Sequence, residues 1–380
     1  ASRAALAAEG GQGQGPGGLL EELQLVPGYA RNHISGRLRS SPVSQAKERA
    51  ARIAAERAEW EEGKRAKAEA IVETVRAAEL GLPPLAERTF LVTGATDGIG
   101  RFTAELLAKE GCQVLMHGRQ ERLVVHQLRN FDRVFPQAKL DGFQADFSLM
   151  QEVREFASLV SSRYPVIHGI LHNAATIDGD FIGQKKLTKE DLEHTMAVNA
   201  MAPHLLTSLL MDNLRASGAG RVVFSSSANM GRGEFLDDPC CEREWSGNHA
   251  YRLSKLCNSM VAAEMHERFG DAPRLCFHAI DPGLVDTKLM RQGAVWGKGA
   301  RRVRHRRKTD SIFGLVPHVR TATASFEALT QNGFQEASGF QVESSPPEVN
   351  DASKRAQLWE DFDHLTGATW PAPVSVAAEA

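Results

Sequence analysis

Cysteine is scarce. The chain has five, Cys112, Cys240, Cys241, Cys257 and Cys276. An odd number whose only close pair is adjacent in sequence fits neither a disulfide framework nor a Cys-x-x-Cys zinc site, so a reducing compartment and no metal are expected. Long apolar runs are missing too. Nothing approaches the roughly 18 to 20 residues that span a bilayer, and no apolar stretch opens the chain, which argues for a soluble protein without a transmembrane anchor or secretory signal. Lys+Arg 45 against Asp+Glu 47 gives a net charge of -2, so no global field draws the protein to nucleic acid or an anionic membrane. Tyrosine occurs only three times. What is present is ordinary for a globular protein: 380 residues, 42% hydrophobic and 24% charged, enough for one large domain with appendages.

Composition divides the chain. Residues 1–42 are a flexible Gly/Ala-rich lead and short extension, with six glycines between Gly10 and Gly18. Residues 43–82 hold a charged, Ala-rich stretch of strong helix formers that Gly81, Pro83 and Pro84 stop. Its apolar seam of Val43, Ala46, Ala50 and Ile53 is interrupted by Arg57 and Lys64, so it reads as a solvated spacer or as a helix lying along another macromolecule. From residue 85 to 370 short apolar runs alternate with amphipathic helical patterns. Strands are expected at 89–93, 113–117, 142–145, 166–172, 221–225 and 275–280, and helices at 100–111, 121–135, 149–163, 188–215 and 251–269. That succession predicts an α/β fold, a doubly wound Rossmann-type parallel sheet with helices on both faces. Residues 371–380 are a tail.

The first expected strand runs into Thr93-Gly94-Ala95-Thr96-Asp97-Gly98-Ile99-Gly100 and then a helix. Glycines there permit a tight turn and a close backbone approach, and the helix start offers free N–H groups to a pyrophosphate. A tight turn without a ligand is the plainer alternative. The Gly-x-x-x-Gly-x-Gly spacing resembles the short-chain dehydrogenase/reductase family, over about residues 86 to 370. The resemblance implies NADP(H) or NAD(H) at Gly94, Thr96, Asp97, Gly98 and Ile99. It also implies an acidic residue after the second strand when the adenosine ribose is unsubstituted, and a basic one when it carries a 2′-phosphate. The sequence there is His117-Gly118-Arg119, so NADP(H) is expected, with Arg119 on the phosphate and adenine. Asp146 matches an adenine-contacting position, or caps the following helix. Asn173 and Ala174 match the family's Asn-Asn-Ala-Gly, while His172 and Ala175 depart from it, and Ala175 must keep φ negative.

Tyr251 and Lys255 have the Tyr-x-x-x-Lys spacing that puts both on one helix face, where an ammonium would favour the phenolate of a tyrosine otherwise ionising near pH 10. By resemblance, Ser227 orients the substrate oxygen, with Ser226 the register alternative, and Asn199 supports a water-mediated proton relay to the lysine, the plainer alternative being a buried polar residue bonding to helix backbone. Pro282, Gly283 and Thr287 resemble the nicotinamide-side loop. Tyr251-x-x-Ser-Lys-Leu-Cys-Asn and residues 336–366 resemble retinol-dehydrogenase-like and protochlorophyllide-reductase-like members. Ser227 and Tyr251 are 24 residues apart, so residues 234–248, with Phe235, Trp245, Cys240 and Cys241, form a loop shaping the pocket. The vicinal cysteines are expected to be inert.

Two additions fit catalysis less well. A basic run, Lys298 and Arg301 to Lys308, falls within 293–311, where the family carries a substrate lid. Like charges at that density call for an anionic partner. Val26-Pro27-Gly28-Tyr29-Ala30-Arg31-Asn32 before the charged helix resembles the ninth large-subunit protein of bacterial-type ribosomes over a short stretch, without the Leu-Ile-Pro expected after it. The first expectation is therefore an NADPH-dependent oxidoreductase interconverting a carbonyl and an alcohol. The alternative is an accessory subunit of a large organellar assembly, a respiratory complex or ribosome, that binds NADP(H) structurally and meets a protein or RNA partner through residues 19–80 and 298–308. An organellar location, mitochondrion or plastid, is favoured over the cytoplasm.

Overall fold

The computed structural model describes residues 81–177, 184–227, 230–231, 236–270, 274–282, 289 and 346–372. The chain divides into two units, Ala1–Ile71 and Val72–Ala380, and every described residue lies in the second. The expected N-terminal helix, the ribosomal-protein resemblance and the basic lid all fall outside the described residues.

Six parallel strands form one sheet in the order β3-β2-β1-β4-β5-β6. They are β1 (Thr89–Val92), β2 (Gln113–Gly118), β3 (Lys139–Gln144), β4 (Gly169–His172), β5 (Arg221–Ser225) and β6 (Cys276–Ile280). Every residue of β1, β4 and β5 is buried, because helices cover both faces of a parallel sheet and leave no polar side. β3 stands at the edge in this order, and Lys139 and Gln144 at its ends are exposed. The helices are α1 (Gly98–Lys109), α2 (Glu121–Val134), α3 (Met150–Arg163), α4 (His194–Met196), α5 (Ala202–Leu209), α6 (Met211–Arg215), α7 (Gly247–Phe269) and α8 (Ala352–Thr366). One core cluster gathers Phe90, Val92, Leu107 and Phe131. A larger one joins Leu91, Phe143, Ile170 and Phe224 to the apolar sides of α3, α5, α7 and α8. The doubly wound sheet is the architecture expected, and the strand order reverses between β1 and β4.

Several boundaries differ for physical reasons. The helix expected over 188–215 is broken: Glu193 caps α4, a π turn occupies Ala197–Met201, and α5 and α6 follow separately. Pro203, at the start of α5, has no N–H to give the preceding turn, which accounts for the wider register there. α7 begins at Gly247 rather than 251, because the Ser246 hydroxyl accepts from His249 N at 3.0 Å and caps it. β4 starts at Gly169. Before it His168 N donates to Thr89 O, but Ile167 N turns to Asn213 O. Asp146 does not cap α3. That helix starts at Met150, and its first N–H groups donate to the Glu190 carboxylate at 2.7 and 3.2 Å, while Asp146 Oδ1 accepts from Ser148 N.

α8 locks onto α7. Buried Arg355 donates Nε to Glu264 Oε2 at 3.0 Å and Nη1 to Val349 O, pairs with Glu267, and Glu264 also accepts from Arg268. On α5, fully buried His204 donates Nε2 to Asp363 Oδ1 at 2.8 Å within a box of Trp359, Phe362 and Trp370. Among the described residues no helix is long and apolar enough to cross a membrane.

Burial holds several imidazoles neutral. It pushes His117, His168 and His278 down to about 4 and His172 to about 3. An unfolded histidine takes a proton near 6.5 and these do not, so the unfolded state gains protons first as pH falls, and stability declines from about 6.5 toward 4. His172 stacks on Phe224 and donates Nε2 to Thr207 Oγ1, while its Nδ1 has no partner. His172→Phe keeps the stack and removes the titration. In urea unfolding across pH it should shrink the loss between pH 6.5 and 4 by about 2–3 kcal/mol. An unchanged slope would contradict this.

Candidate active site

The crevice opens where β1 and β4 end side by side. Thr93 Oγ1 donates to Leu171 O at 3.2 Å and accepts from Asn173 N and Ala174 N, both at 3.0 Å. Asn173 Nδ2 returns two bonds, to Thr93 O at 3.1 Å and Gly94 O at 3.2 Å. Asn173 thus holds the glycine turn onto β4. Gly94 has φ +66°, and a Cβ there would lie 2.8 Å from Ala174 Cα, backbone that cannot yield. Ala175 keeps out of positive φ, as its side chain requires.

Asp97 caps α1, its Oδ1 accepting from Gly98 N at 2.8 Å, and the side chains of Thr96 and Ile99 are half-buried around the turn. His117, which sequence reasoning noted only as a non-acidic residue, braces this turn. Its Nδ1 accepts from Gly94 N at 3.4 Å, its Nε2 donates to Ala145 O at 3.0 Å, and its ring stacks 3.9 Å from Phe147. The neutral ring satisfies one donor and one acceptor. Arg119, just past β2, is exposed, and its carbonyl accepts from Gln144 Nε2. Asp146, half-buried after β3, completes this side. A narrow glycine turn at a helix start, braced from β2 and β4 and flanked by a guanidinium, fits a dinucleotide.

At the other end of the crevice Tyr251, half-buried on α7, is hydrogen-bonded to Ser227. Ser226 is spent in the core instead, donating to Lys255 O and meeting Ser259 Oγ at 2.8 Å each. Buried Lys255 places Nζ 5.6 Å from the Tyr251 ring centroid and donates to Ser225 O at 2.7 Å. Desolvation pushes Lys255 down to about 8. Tyr251 is pushed up, chiefly by burial and also by the Asp281 carboxylate, against the Ser227 bond. Burial thus disfavours the charged form of both groups.

Asn199 sits in the π turn with its amide committed. Oδ1 accepts from Thr176 N at 2.8 Å, and Nδ2 donates to Thr176 O at 2.9 Å and Ser254 Oγ at 3.0 Å. Ser254 in turn donates to Tyr251 O at 2.7 Å. The Asn199 side chain thus positions the chain after β4 and the first turns of α7 rather than meeting Lys255 directly. Pro282 follows β6, whereas Gly283, Thr287 and Phe235 lie outside the described residues.

The described part of the loop before α7 is pinned by Asp238, whose carboxylate accepts from Glu242 N and Arg243 N at 2.8 Å each, and by Trp245 Nε1, which donates to buried Glu193 at 3.2 Å. Burial raises the Cys240 thiol and pushes Cys241 up to about 12, so neither is a thiolate at neutral pH. Among the described residues no cluster of histidines, cysteines or carboxylates could hold a metal.

A family model described as short chain dehydrogenase matches residues 88–296. The chain belongs to that family. It is 33% identical over 305 residues to a candidate daunorubicin C-13 ketoreductase of Streptomyces sp. (strain C5), covering 76% of this chain and 95% of that one. It is 30% identical over 301 residues to dehydrogenase/reductase SDR family member 13 of Bos taurus, covering 76% and 75%. Its fold is similar to the crystal structure of an uncharacterised Mycobacterium paratuberculosis protein, with TM-score 0.56, 25% identity and coverage of 76% and 97%. It is also similar to actinorhodin polyketide ketoreductase with NADPH, with TM-score 0.50, 22% identity and coverage of 64% and 91%, a likeness of fold alone. As a short chain dehydrogenase the protein is an oxidoreductase that binds a nicotinamide cofactor and acts on small molecules.

Gly94→Ala tests the turn. The added Cβ meets Ala174 backbone at a φ that side chains avoid, so we expect a loss of about 2–4 kcal/mol in stability and at least tenfold in nicotinamide-cofactor affinity. Calorimetry and fluorescence titration read the two; unchanged affinity would mean that the turn does not meet the cofactor.

Proposed function

We propose that the protein is an NADPH-dependent carbonyl reductase, interconverting a carbonyl and an alcohol by hydride transfer. The observation that carries this reading is Tyr251 hydrogen-bonded to Ser227 with Lys255 buried against its ring. A reduced nicotinamide, when bound, supplies the hydride to the carbonyl carbon. Ser227 donates to the carbonyl oxygen and orients it. Tyr251 gives its hydroxyl proton to that oxygen as the C=O π pair moves onto it, and the resulting phenolate recovers a proton from solvent. Lys255, close to its ionisation point inside the protein, stabilises that phenolate while it exists. Asn199 keeps Thr176 and the Tyr251 turn in place.

The preference for NADPH rests on Arg119. An exposed guanidinium directly after β2, where a carboxylate would serve an unsubstituted ribose, supplies a forked partner for a 2′-phosphate. Gly94, Thr96, Gly98, Ile99, Asp146, Asn173, Ala174 and Pro282 line the same groove in this reading.

NADPH should bind at least tenfold tighter than NADH in fluorescence titrations at fixed salt, and Arg119→Asp should reverse the order. Equal affinities in the unmodified protein would remove the NADP assignment. Tyr251→Phe should lower kcat for carbonyl reduction by roughly 10²–10⁴ while leaving NADPH affinity within about twofold, since the ring still packs and only the proton is lost. If the unmodified protein binds NADPH yet reduces nothing in a panel of aliphatic, aromatic and quinone carbonyls, the reductase reading falls.

A further inference from the structure

A buried carboxylate that takes no part in the proposed chemistry ties together the two segments that lead to the site. Glu193 is fully buried at the end of a short hairpin, where Leu187 and Glu193 form an antiparallel bridge and Thr188 N donates to Leu192 O at 2.8 Å. Its Oε2 accepts from Met196 N at 2.7 Å and caps α4, which runs straight into the π turn carrying Asn199. Its Oε1 accepts from Trp245 Nε1 at 3.2 Å, across 52 residues of chain. Trp245 directly precedes Ser246, the cap of α7, and Tyr251 stands in the second turn of that helix. We infer that Glu193 is a positioning residue that acts through Trp245: it fixes the entry of α7 against the π turn and so sets where the Tyr251 hydroxyl meets the carbonyl oxygen. The inference rests on the reductase reading and deepens it.

A carboxylate is costly to bury, and apolar packing would fill the same volume without that cost. What the carboxylate adds is direction. An acceptor-only group set between two N–H donors fixes the Trp245 ring, which is half-buried against the larger core, in one placement. The hairpin holds the loop before α7 at a second point, where Lys185 Nζ donates to Cys241 O at 3.1 Å. Cys241 is buried with φ +52°, a left-handed conformation that side chains avoid, and Asp238 sustains it: its carbonyl accepts from Cys241 N and its carboxylate from Glu242 N and Arg243 N. The loop therefore reaches Trp245 along a fixed path. The hairpin cannot drift with the loop, because Glu190 at its tip is bonded to the first turn of α3. On the far side of Tyr251, Ser254 accepts from Asn199 Nδ2 at 3.0 Å. Tyr251 thus lies between two ties to one short segment, Trp245 to Glu193 before it and Ser254 to Asn199 after it. With the second tie alone α7 could pivot about Ser254; the first removes the pivot.

Trp245→Phe keeps an aromatic ring and removes the N–H. In the full-length chain it should lower kcat for carbonyl reduction about tenfold, while KM for the carbonyl and NADPH affinity stay within about twofold and NADPH still fills every chain. Partial unfolding would instead reduce the number of NADPH sites. Glu193→Gln keeps the volume and one acceptor; with its oxygen on Met196 N, its amide N–H opposes the indole N–H, so kcat should fall further than in Trp245→Phe. Combining the two removes that opposition, and the double variant should recover to the level of Trp245→Phe. Additive losses overturn the proposal. So does a Trp245→Phe variant that raises KM and keeps kcat, since Trp245 would then only wall the pocket. Hydrogen exchange needs no turnover: in Trp245→Phe the amides of residues 247–254 should exchange faster, and those of the glycine turn and α1 should not change. Unchanged exchange over 247–254 overturns the proposal. Faster exchange there in a protein that reduces no carbonyl keeps the tie between Glu193 and α7 and removes the reductase reading instead.

Discussion

The site depends on the joint between β1 and β4. Parallel strands that diverge at a switch point leave their last N–H and C=O groups facing a crevice, where each unpaired group is costly unless something bonds it. Thr93 and Asn173 solve this with two side chains and five hydrogen bonds, and in doing so they fix the Gly94 turn against Ala174 with no space for a side chain. His117 adds the third anchor from β2. A turn held from three strands offers its backbone to a phosphate group without first having to be ordered, which lowers the entropic cost of binding.

The chemical end is built on the opposite principle. There the polar groups are desolvated before any ligand arrives, and both members of the Tyr251–Lys255 pair are drawn toward their neutral forms. The two groups ordinarily ionise at 10.0 and 10.5, so raising the phenol and lowering the ammonium to about 8 leaves the tyrosine holding its proton more tightly than the lysine does. At Tyr251 burial is the larger influence, and the bond from Ser227 works against it.

Much of this is legible in the sequence because its signals are local. The glycine turn, the Tyr-x-x-x-Lys pair and the serines ending β5 sit at fixed spacings within one element or one turn. β5 itself is a short apolar run with sharp ends, and its bounds follow directly. What the sequence does not disclose are partners far along the chain. The Asn199–Ser254 bond joins residues 55 apart, the Gly94–His117 bond joins residues 23 apart, and Glu190 satisfies α3 from 40 residues away. Periodicity likewise misreads 188–215 as one helix, since Pro203 and the π turn alter the backbone without disturbing the apolar pattern.

α7 is the element that must hold still, because it carries both Tyr251 and Lys255, and errors of a fraction of an ångström in their placement weaken proton transfer. Its first turns are fixed by the Asn199–Ser254 bond and by the cap at Ser246. Its far end is fixed by α8 through Arg355 and Glu264, both nearly fully buried, with the Trp359 and Phe362 side chains packed beside them. Burying that ion pair carries a desolvation penalty that apolar packing alone would avoid, so its value lies in direction: a guanidinium donating to two carboxylates and a carbonyl allows one register of α8 on α7, where sliding apolar surfaces would allow several. The same α8 buries His204 on α5, directly after the π turn that carries Asn199. One C-terminal helix thereby braces α7, which carries Tyr251, and α5, which follows the turn holding Asn199, and the geometry of the site rests on contacts made well behind it.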